Sequence, residues 1–497
     1  MILLRKAIPI FYSALLLTAV NLLLRFSGTG FQVFISNHLG AEGVGLLHLV
    51  LSVGGLTTTM AVAGIRTGAM YLTAEELGKK RPGNVRHVLS GCFIYSILIN
   101  SAISISLYIA APYIAEYWVG NVRTLSALRL FSAFIPVSCL CSVMIGYFTA
   151  ANRIGALSAV EVAEQLCSMA VTAGLLLFWS NHDPIRSCKA VILGSSLGTC
   201  LTFGLLMTLR ILEKPPHSSP IPIRSRLLQI AVPLAVADDL KSGLNTLENL
   251  MVPKRLSLHG RTINPLSAFG TVCGMVFPVL MFPAAILYAL AELLLPELAR
   301  CNAAGSNVRI RYLTRKSLRI AMLYGCLFSG LMILAAEPLC IRLYKSKLAS
   351  YWLKRYAVLI PMLYCDAITD AMTKGLGQQT ACVRYNILTS AMDVAGLYLL
   401  LPKYGMTGYY ISFVITHALN FVLSIRRLLK ITNHKPRLYI VLLSAAATAA
   451  AIALCSFIPS RLWACICYPA VMVALFTLCN ITGIGDLKWL KCLMLAK

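Results

Sequence analysis

Charge is scarce in this chain, and acid is scarcer. Only 12% of its 497 residues are charged, and 18 Asp and Glu stand against 44 Lys and Arg. An ordinary soluble domain carries about a quarter charged residues. Long polar stretches are also missing, since the longest polar connection is under 20 residues. Together these absences exclude a soluble globular protein and leave no room for a separate soluble domain. There is no Walker A loop, no HExxH helix, no GxSxG elbow and no dinucleotide fingerprint. A chain without them is expected to have no catalytic residues, no metal, no cofactor and no nucleotide site of its own. The 17 cysteines lack any zinc or redox spacing. Most fall within apolar runs, as in "CLCS" at Cys139 and Cys141, and read as small core residues.

What is present is apolar sequence, at 58% hydrophobic residues and a mean hydropathy of +0.77. Runs of about 20 apolar residues recur along the chain, the length that crosses a bilayer as helix. Fourteen spans are expected, at 9–36, 43–70, 88–112, 125–148, 157–180, 190–210, 227–251, 268–291, 318–336, 356–373, 387–402, 406–425, 438–457 and 462–482. The first is too long for a signal peptide and is kept as a helix. The fold class is therefore all-α and polytopic. With a cytosolic N-terminus, the inside loops carry twice as many Lys and Arg as the outside loops. Both termini are then cytosolic. The net charge of +26 reports this topology rather than nucleic-acid binding. One outside stretch, "IRLYKSKLASYWLKR", breaks the trend and reads as an amphipathic interfacial segment.

The chain repeats itself weakly. "NHLG" ending at Gly40 matches "SLHG" ending at Gly260, an offset of 220. Gly45 matches Gly270 at 225, while Gly146 matches Gly375 and Glu164 matches Asp393 at 229. Six spans separate the copies, an even number, so the copies are parallel and form two lobes. The expected division is an N-lobe of six helices at 1–212, a cytoplasmic linker at 213–226 and a C-lobe of six helices at 227–430. Two further helices follow at 431–497.

In such proteins the first helix of each copy faces the substrate cleft. Helix one places Thr18, Asn21, Arg25, Gly28 and Gln32 on one face, at steps of three and four. Helix seven places Asp238, Lys241, Asn245 and Glu248 on one face, 220 residues on and in the same phase. Charges at membrane depth cost several kcal/mol unless paired or hydrated, and they face cavities or bundle interiors. Arg25 has no acid in its own helix, which marks it as a binding residue. Asp238 and Lys241 have the spacing to neutralise one another. Arg66, near a helix end, fits either a site or snorkelling to the headgroups.

Three segments carry a family likeness: "HLGAEGVGLLHLVLSVGGLTTTMAVAGI" (His38–Ile65), "FGTVCGMVFPVLMFPAAILYALAELLLPELAR" (Phe269–Arg300) and "LPKYGMTGYYISFVIT" (Leu401–Thr416). The chain resembles the multidrug/oligosaccharidyl-lipid/polysaccharide exporter superfamily over nearly its whole length. Within that superfamily it resembles the polysaccharide-biosynthesis branch, which holds the stage V sporulation protein B type and the lipid II flippases. The resemblance implies a flippase for a polyprenyl-pyrophosphate-linked sugar or peptidoglycan precursor in a bacterial cytoplasmic membrane, working as a monomer by alternating access. It implies a cationic site that holds pyrophosphate, with Arg25 and Gly28 meeting the family's Arg-x-x-Gly and Lys254 and Arg255 its later basic pair. The substrate set is then Arg25, Asn21, Lys241, Asn245, Arg255 and Arg66. The sister branch implies an alternative, a drug exporter coupled to Na⁺ or H⁺ through Asp238, Asp239, Glu164 and Asp393. A non-transporting scaffold for wall assembly is the third reading.

Overall fold

The computed structural model describes residues 2–62, 64–79, 81, 83–180, 183–212, 224–260, 264–433 and 438–479. Most of the linker expected at 213–226 and the end of the last span lie outside these residues, as do parts of the basic loops. The described chain is helical, without strands. It forms two compact units, Met1–Gly270 with Leu397–Gly405, and Thr271–Gly396 with Met406–Lys497.

The first unit holds α1 (Ile2–Val62), α2 (Ile65–Gly78), α3 (Asn84–Tyr113), α4 (Leu125–Ala150), α5 (Ile154–Phe178), α6 (Pro184–Ile211), α7 (Arg224–Leu256) and α8 (Pro265–Gly270). The second holds α9 (Phe277–Met281), α10 (Ala284–Ala303), α11 (Asn307–Tyr344), α12 (Lys347–Ala357), α13 (Ile360–Gly375), most of α14 (Gln379–Tyr404), α15 (Met406–Thr432), α16 (Leu438–Ser456) and α17 (Arg461–Leu478). Among the described residues nine helical stretches are long and apolar enough to cross a membrane, or ten with the bent pair Pro265–Met281 and Ala284–Ala303. The stretch Leu22–Gly78 is 57 residues long and contains two expected spans. Adding α7, α13 and α14, which are shorter or more charged, restores the fourteen read from sequence.

Two spans are broken where the sequence suggested continuous helix. Span two stops at Val62 and resumes at Ile65 after Gly64, whose φ is 69°. Span eight bends by 61° at Phe282–Pro283. Pro283 has no N–H for the helix ladder, and left-handed Gly64 cannot continue one. Each copy thus has one broken span, the two breaks lying about 219 residues apart.

The repeat is written in local geometry as well as in sequence. Gly40 and Gly260 both end a helical segment with positive φ, at 70° and 67°. Gly40 also has ψ 175°, a region reserved for glycine. Nothing stands within 4 Å of where its Cβ would lie. Gly40→Ala is therefore expected to cost about 1–3 kcal/mol through backbone strain alone. Thermal unfolding in detergent should show the loss, with Gly260→Ala lower by a similar amount. A Cβ on Gly146 would lie 2.6 Å from Arg66 O and 3.2 Å from Ala69 Cβ. One on Gly375 would lie 2.8 Å from Leu295 O and 3.2 Å from Leu298 Cβ. Subtracting 229 from 295 and 298 returns 66 and 69, so each copy closes the same helix crossing with the same glycine. Gly45 and Gly270 meet each other: a Cβ on Gly45 would fall on Leu266 O, and one on Gly270 on Ala41 O and the Gly45 backbone.

Helix α7 opens the second copy of the repeat, yet it packs within the first unit, on α1 and α2. Thr246 Oγ1 donates to Ser52 O at 3.1 Å, and Asn249 Nδ2 to Ser52 Oγ at 3.0 Å. The Arg255 guanidinium sits 3.2 Å over the Tyr398 ring, and His259 Nδ1 lies 3.0 Å from Pro402 O. These contacts tie Leu397–Gly405 to the first unit.

Large exposed aromatics gather at particular helix ends. Tyr113, Tyr117 and Trp118 follow α3, Phe178 and Trp179 end α5, and Phe457 and Trp463 flank the α16–α17 turn. All are ends that the span count assigns to the outside. Aromatic rings favour the headgroup level, where a flat apolar body and a polar tip are both accommodated. The amphipathic stretch is α12, which buries Trp352, Leu353 and Tyr356 and leaves Lys347, Lys354 and Arg355 at its edge.

Candidate functional site

In the first unit, Arg66 of α2 acts on Glu161 of α5, and Arg25 of α1 stands one turn from the place where Gly28 meets α5. Gly28 brings α1 against α5, where a Cβ would lie 3.4 Å from Gln165 Nε2. His38 Nε2 meets Ser180 Oγ at 2.9 Å further along, so the two helices run in the same direction. Arg25 and Glu161 each stand about one turn before the Gly28–Gln165 contact. Arg25 is exposed. Arg66 reaches the same place from α2. Its guanidinium interacts electrostatically with Glu161 and with Cys141, whose other charged neighbours are Glu161 and Glu164. Arg66, itself exposed, is thus an electrostatic neighbour of the α5 acids. The break at Gly64 explains how: Arg66 starts a new helix, so its direction is set by α2 and not by the axis of α1.

Glu164 is anchored from α6. Thr199 Oγ1 donates to it at 3.3 Å and Thr202 Oγ1 at 2.7 Å. Gly198 permits this approach, since a Cβ there would lie 3.2 Å from Glu164 O.

The α7 residues are placed beside this cluster's helices. Asp238, Lys241 and Asn245 are exposed, on the flank of the face that Thr246 and Asn249 pack on α1. No ion pair joins Asp238 to Lys241 among the described residues, although the spacing allows one. Asp239 turns inward, and its Oδ1 is buried without a hydrogen bond. Lys254 donates to Tyr117 O at 3.4 Å, and Arg255 stacks on Tyr398, so this basic pair holds the end of α7 in place. The side chain of Asn21 lies outside the described residues.

The second unit has its own polar cluster. Asp393, only 5% exposed, accepts from Ser412 Oγ at 2.5 Å and Thr416 Oγ1 at 3.3 Å. This repeats the Glu164 arrangement: an acid on the fifth helix of the copy, two hydroxyls one turn apart on the sixth. Asp366 accepts from Asn420 Nδ2 at 3.3 Å, and Asp370 pairs with Lys374 at 2.6 Å. Sequence reasoning had missed Glu161, Asp366, Asp370 and Asn420. The i, i+4 spacing of Asp366 and Asp370 inside an apolar run was the signal that could have found two of them. Among the described residues no group of three or more His, Cys, Asp and Glu has the arrangement of a metal site.

The overall fold has close structural counterparts. A lipid II flippase MurJ in an inward closed conformation superposes with a TM-score of 0.72, covering 93% of this chain and 97% of that one at 13% identity. The inward-facing form of a multidrug resistance MATE transporter of the MOP superfamily gives 0.66, covering 84% and 100% at 13% identity. The fold is the one that these two solved transporters share. In sequence, the polysaccharide biosynthesis protein family matches residues 11–237. Stage V sporulation protein B of Bacillus subtilis (strain 168) is 23% identical over 422 residues, 80% of each chain. Sporulation protein YkvU of the same organism is 21% identical over 331 residues, 65% of this chain and 73% of that one. The chain is thus a multi-pass membrane protein with an exporter fold. The resemblance carried by His38–Ile65, Phe269–Arg300 and Leu401–Thr416 points to the same proteins.

Proposed function

We propose that the protein is a flippase, carrying a polyprenyl-pyrophosphate-linked oligosaccharide or peptidoglycan precursor across a bacterial cytoplasmic membrane by alternating access. The observation that supports this is a pair of arginines on helices that meet α5 around Glu161–Gln165: Arg66 acts on Glu161, and Arg25 is one turn from the Gly28–Gln165 contact. A guanidinium can fork to a phosphate oxygen pair, and a lysine such as Lys241 can meet it as a point charge. Glu161 keeps Arg66 compensated while no anion is bound, which lowers the cost of holding it at membrane depth. Asn245 and Asn21, on the polar faces of α7 and α1, supply neutral hydrogen bonds to the head group. Only the head needs a polar path, since the tail stays in lipid. Both termini face the cytosol, and the protein acts as a monomer. Mass spectrometry of lipids retained in mild detergent tests the substrate class. A polyprenyl-pyrophosphate species supports the reading, and its absence with a bound cationic drug overturns it.

A specific observation also favours ion coupling. Glu164 and Asp393 offer the same carboxylate-plus-two-hydroxyl arrangement in the two copies, a donor set suited to a proton or a small hard cation. Transport driven by a Na⁺ or H⁺ gradient is expected to lose its gradient dependence in Glu164→Gln or Asp393→Asn. Flux across proteoliposomes, measured with the gradient imposed and collapsed, checks this. Gradient dependence retained in both variants would remove these acids from coupling.

A further inference from the structure

The breaks in spans two and eight, one in each unit, are held in different ways. Ala61 O, three residues before Gly64, accepts from the Cys139 thiol of α4 at 3.3 Å. Leu280 O, three residues before Pro283, accepts from the Tyr364 hydroxyl of α13 at 2.9 Å. Pro283 O accepts from a second hydroxyl, that of Tyr324 on α11, at 2.7 Å. The two tyrosine rings lie 6.0 Å apart, and Tyr364 is fully buried. Gly325 lets α11 close on α13 beside them, since a Cβ there would lie 2.6 Å from Pro361 Cα. At the first break, Cys139 is buried beside Ser96 and Asn100 of α3. Asn100 is fully buried, and among the described residues its Oδ1 has no hydrogen bond.

We infer that the break at Gly64 is a working hinge, whereas the bend at Pro283 is a fixed kink. The backbone at each break points this way. Glycine moves between backbone regions at little cost, while the proline ring holds φ, here at −67°. The clamps point the same way. A thiol is a weak donor, so Ala61 O is released cheaply, whereas two tyrosine hydroxyls at ordinary hydrogen-bond distance hold the second bend. A buried acceptor left bare is costly, so movement around Asn100 has a bond to gain. The packing on either side of Gly64 shows which half swings. After the break, the backbone of α2 presses on Gly146 of α4, where a Cβ would lie 2.6 Å from Arg66 O. Before it, Gly54 meets the end of the Phe131 ring, a side chain that can turn aside. The half of span two before Gly64 therefore swings, and the half after it stays on α4. A few residues at an element end absorb such a motion in hinged proteins.

Hydrogen exchange of the full chain in lipid nanodiscs, resolved by peptide and corrected for intrinsic rates, tests the difference. Peptides across Gly64 are expected to exchange about tenfold faster than peptides across Pro283, a difference of about 1.4 kcal/mol in opening. Tyr324→Phe with Tyr364→Phe keeps both rings and removes both hydroxyls. It should raise exchange across Pro283 about tenfold and leave exchange across Gly64 unchanged. The wild-type comparison decides the matter by itself should the double variant fold poorly. Equal exchange across the two breaks in the wild type, or no rise across Pro283 in the folded double variant, would each overturn the assignment.

Discussion

Replacing Arg25 or Arg66 with alanine is expected to slow translocation of a pyrophosphoryl lipid by about tenfold to a hundredfold. A hydrogen bond to a charged group is worth about 1.5–3 kcal/mol, and each guanidinium supplies at least one. The two variants should differ in one respect. Arg66 is compensated by Glu161, so its removal leaves an uncompensated acid at membrane depth. Arg66→Ala should therefore lower thermal stability as well as rate, and adding Glu161→Gln should recover stability without recovering rate. Translocation of a fluorescent polyprenyl-pyrophosphoryl lipid in proteoliposomes, beside unfolding midpoints in detergent, separates the two effects. Full flipping by Arg25→Ala would remove Arg25 from the substrate site.

The second large effect is expected at Gly270. A Cβ there would fall on Ala41 O, and would lie 2.6 Å from Gly45 N and 2.9 Å from Gly45 Cα. These are backbone atoms, which cannot swing aside as a flexible side chain does. Overpacking of this kind costs about 1–3 kcal/mol even where relaxation is available. Gly270→Ala is expected to reduce the yield of monodisperse protein and lower the unfolding midpoint. Gly55→Ala makes the matching control, since nothing lies within 4 Å of its Cβ position. An alanine inside a helix there should be neutral or slightly stabilising. Equal behaviour of the two variants would show that the α1–α8 crossing is looser than its geometry indicates.

The sequence revealed charge and period, and through them most of the architecture. Arg25 was visible because an arginine in an apolar run has few explanations. Glu164 and Asp393 were visible because a constant offset of 229 linked them, and the structure gives both the same hydroxyl partners. The glycine matches became geometric facts, at Gly40 with Gly260 and Gly45 with Gly270. What stayed hidden depended on partners rather than on pattern. Periodicity tells which face of α7 is polar but not that its neighbouring face packs on α1. Glu161 looked like any acid until the break at Gly64 turned Arg66 toward it.

The aromatic helix ends have a practical consequence. Trp118, Trp179 and Trp463 are 42%, 41% and 62% exposed, while Trp352 is buried. Under the proposed topology all four sit toward one face of the membrane. Intrinsic fluorescence then carries a record of sidedness. Iodide added outside sealed vesicles should quench the three exposed emitters in one insertion orientation and spare them in the other. The mixture of orientations after reconstitution then becomes readable without a tag, a label or an engineered cysteine among the 17 already present.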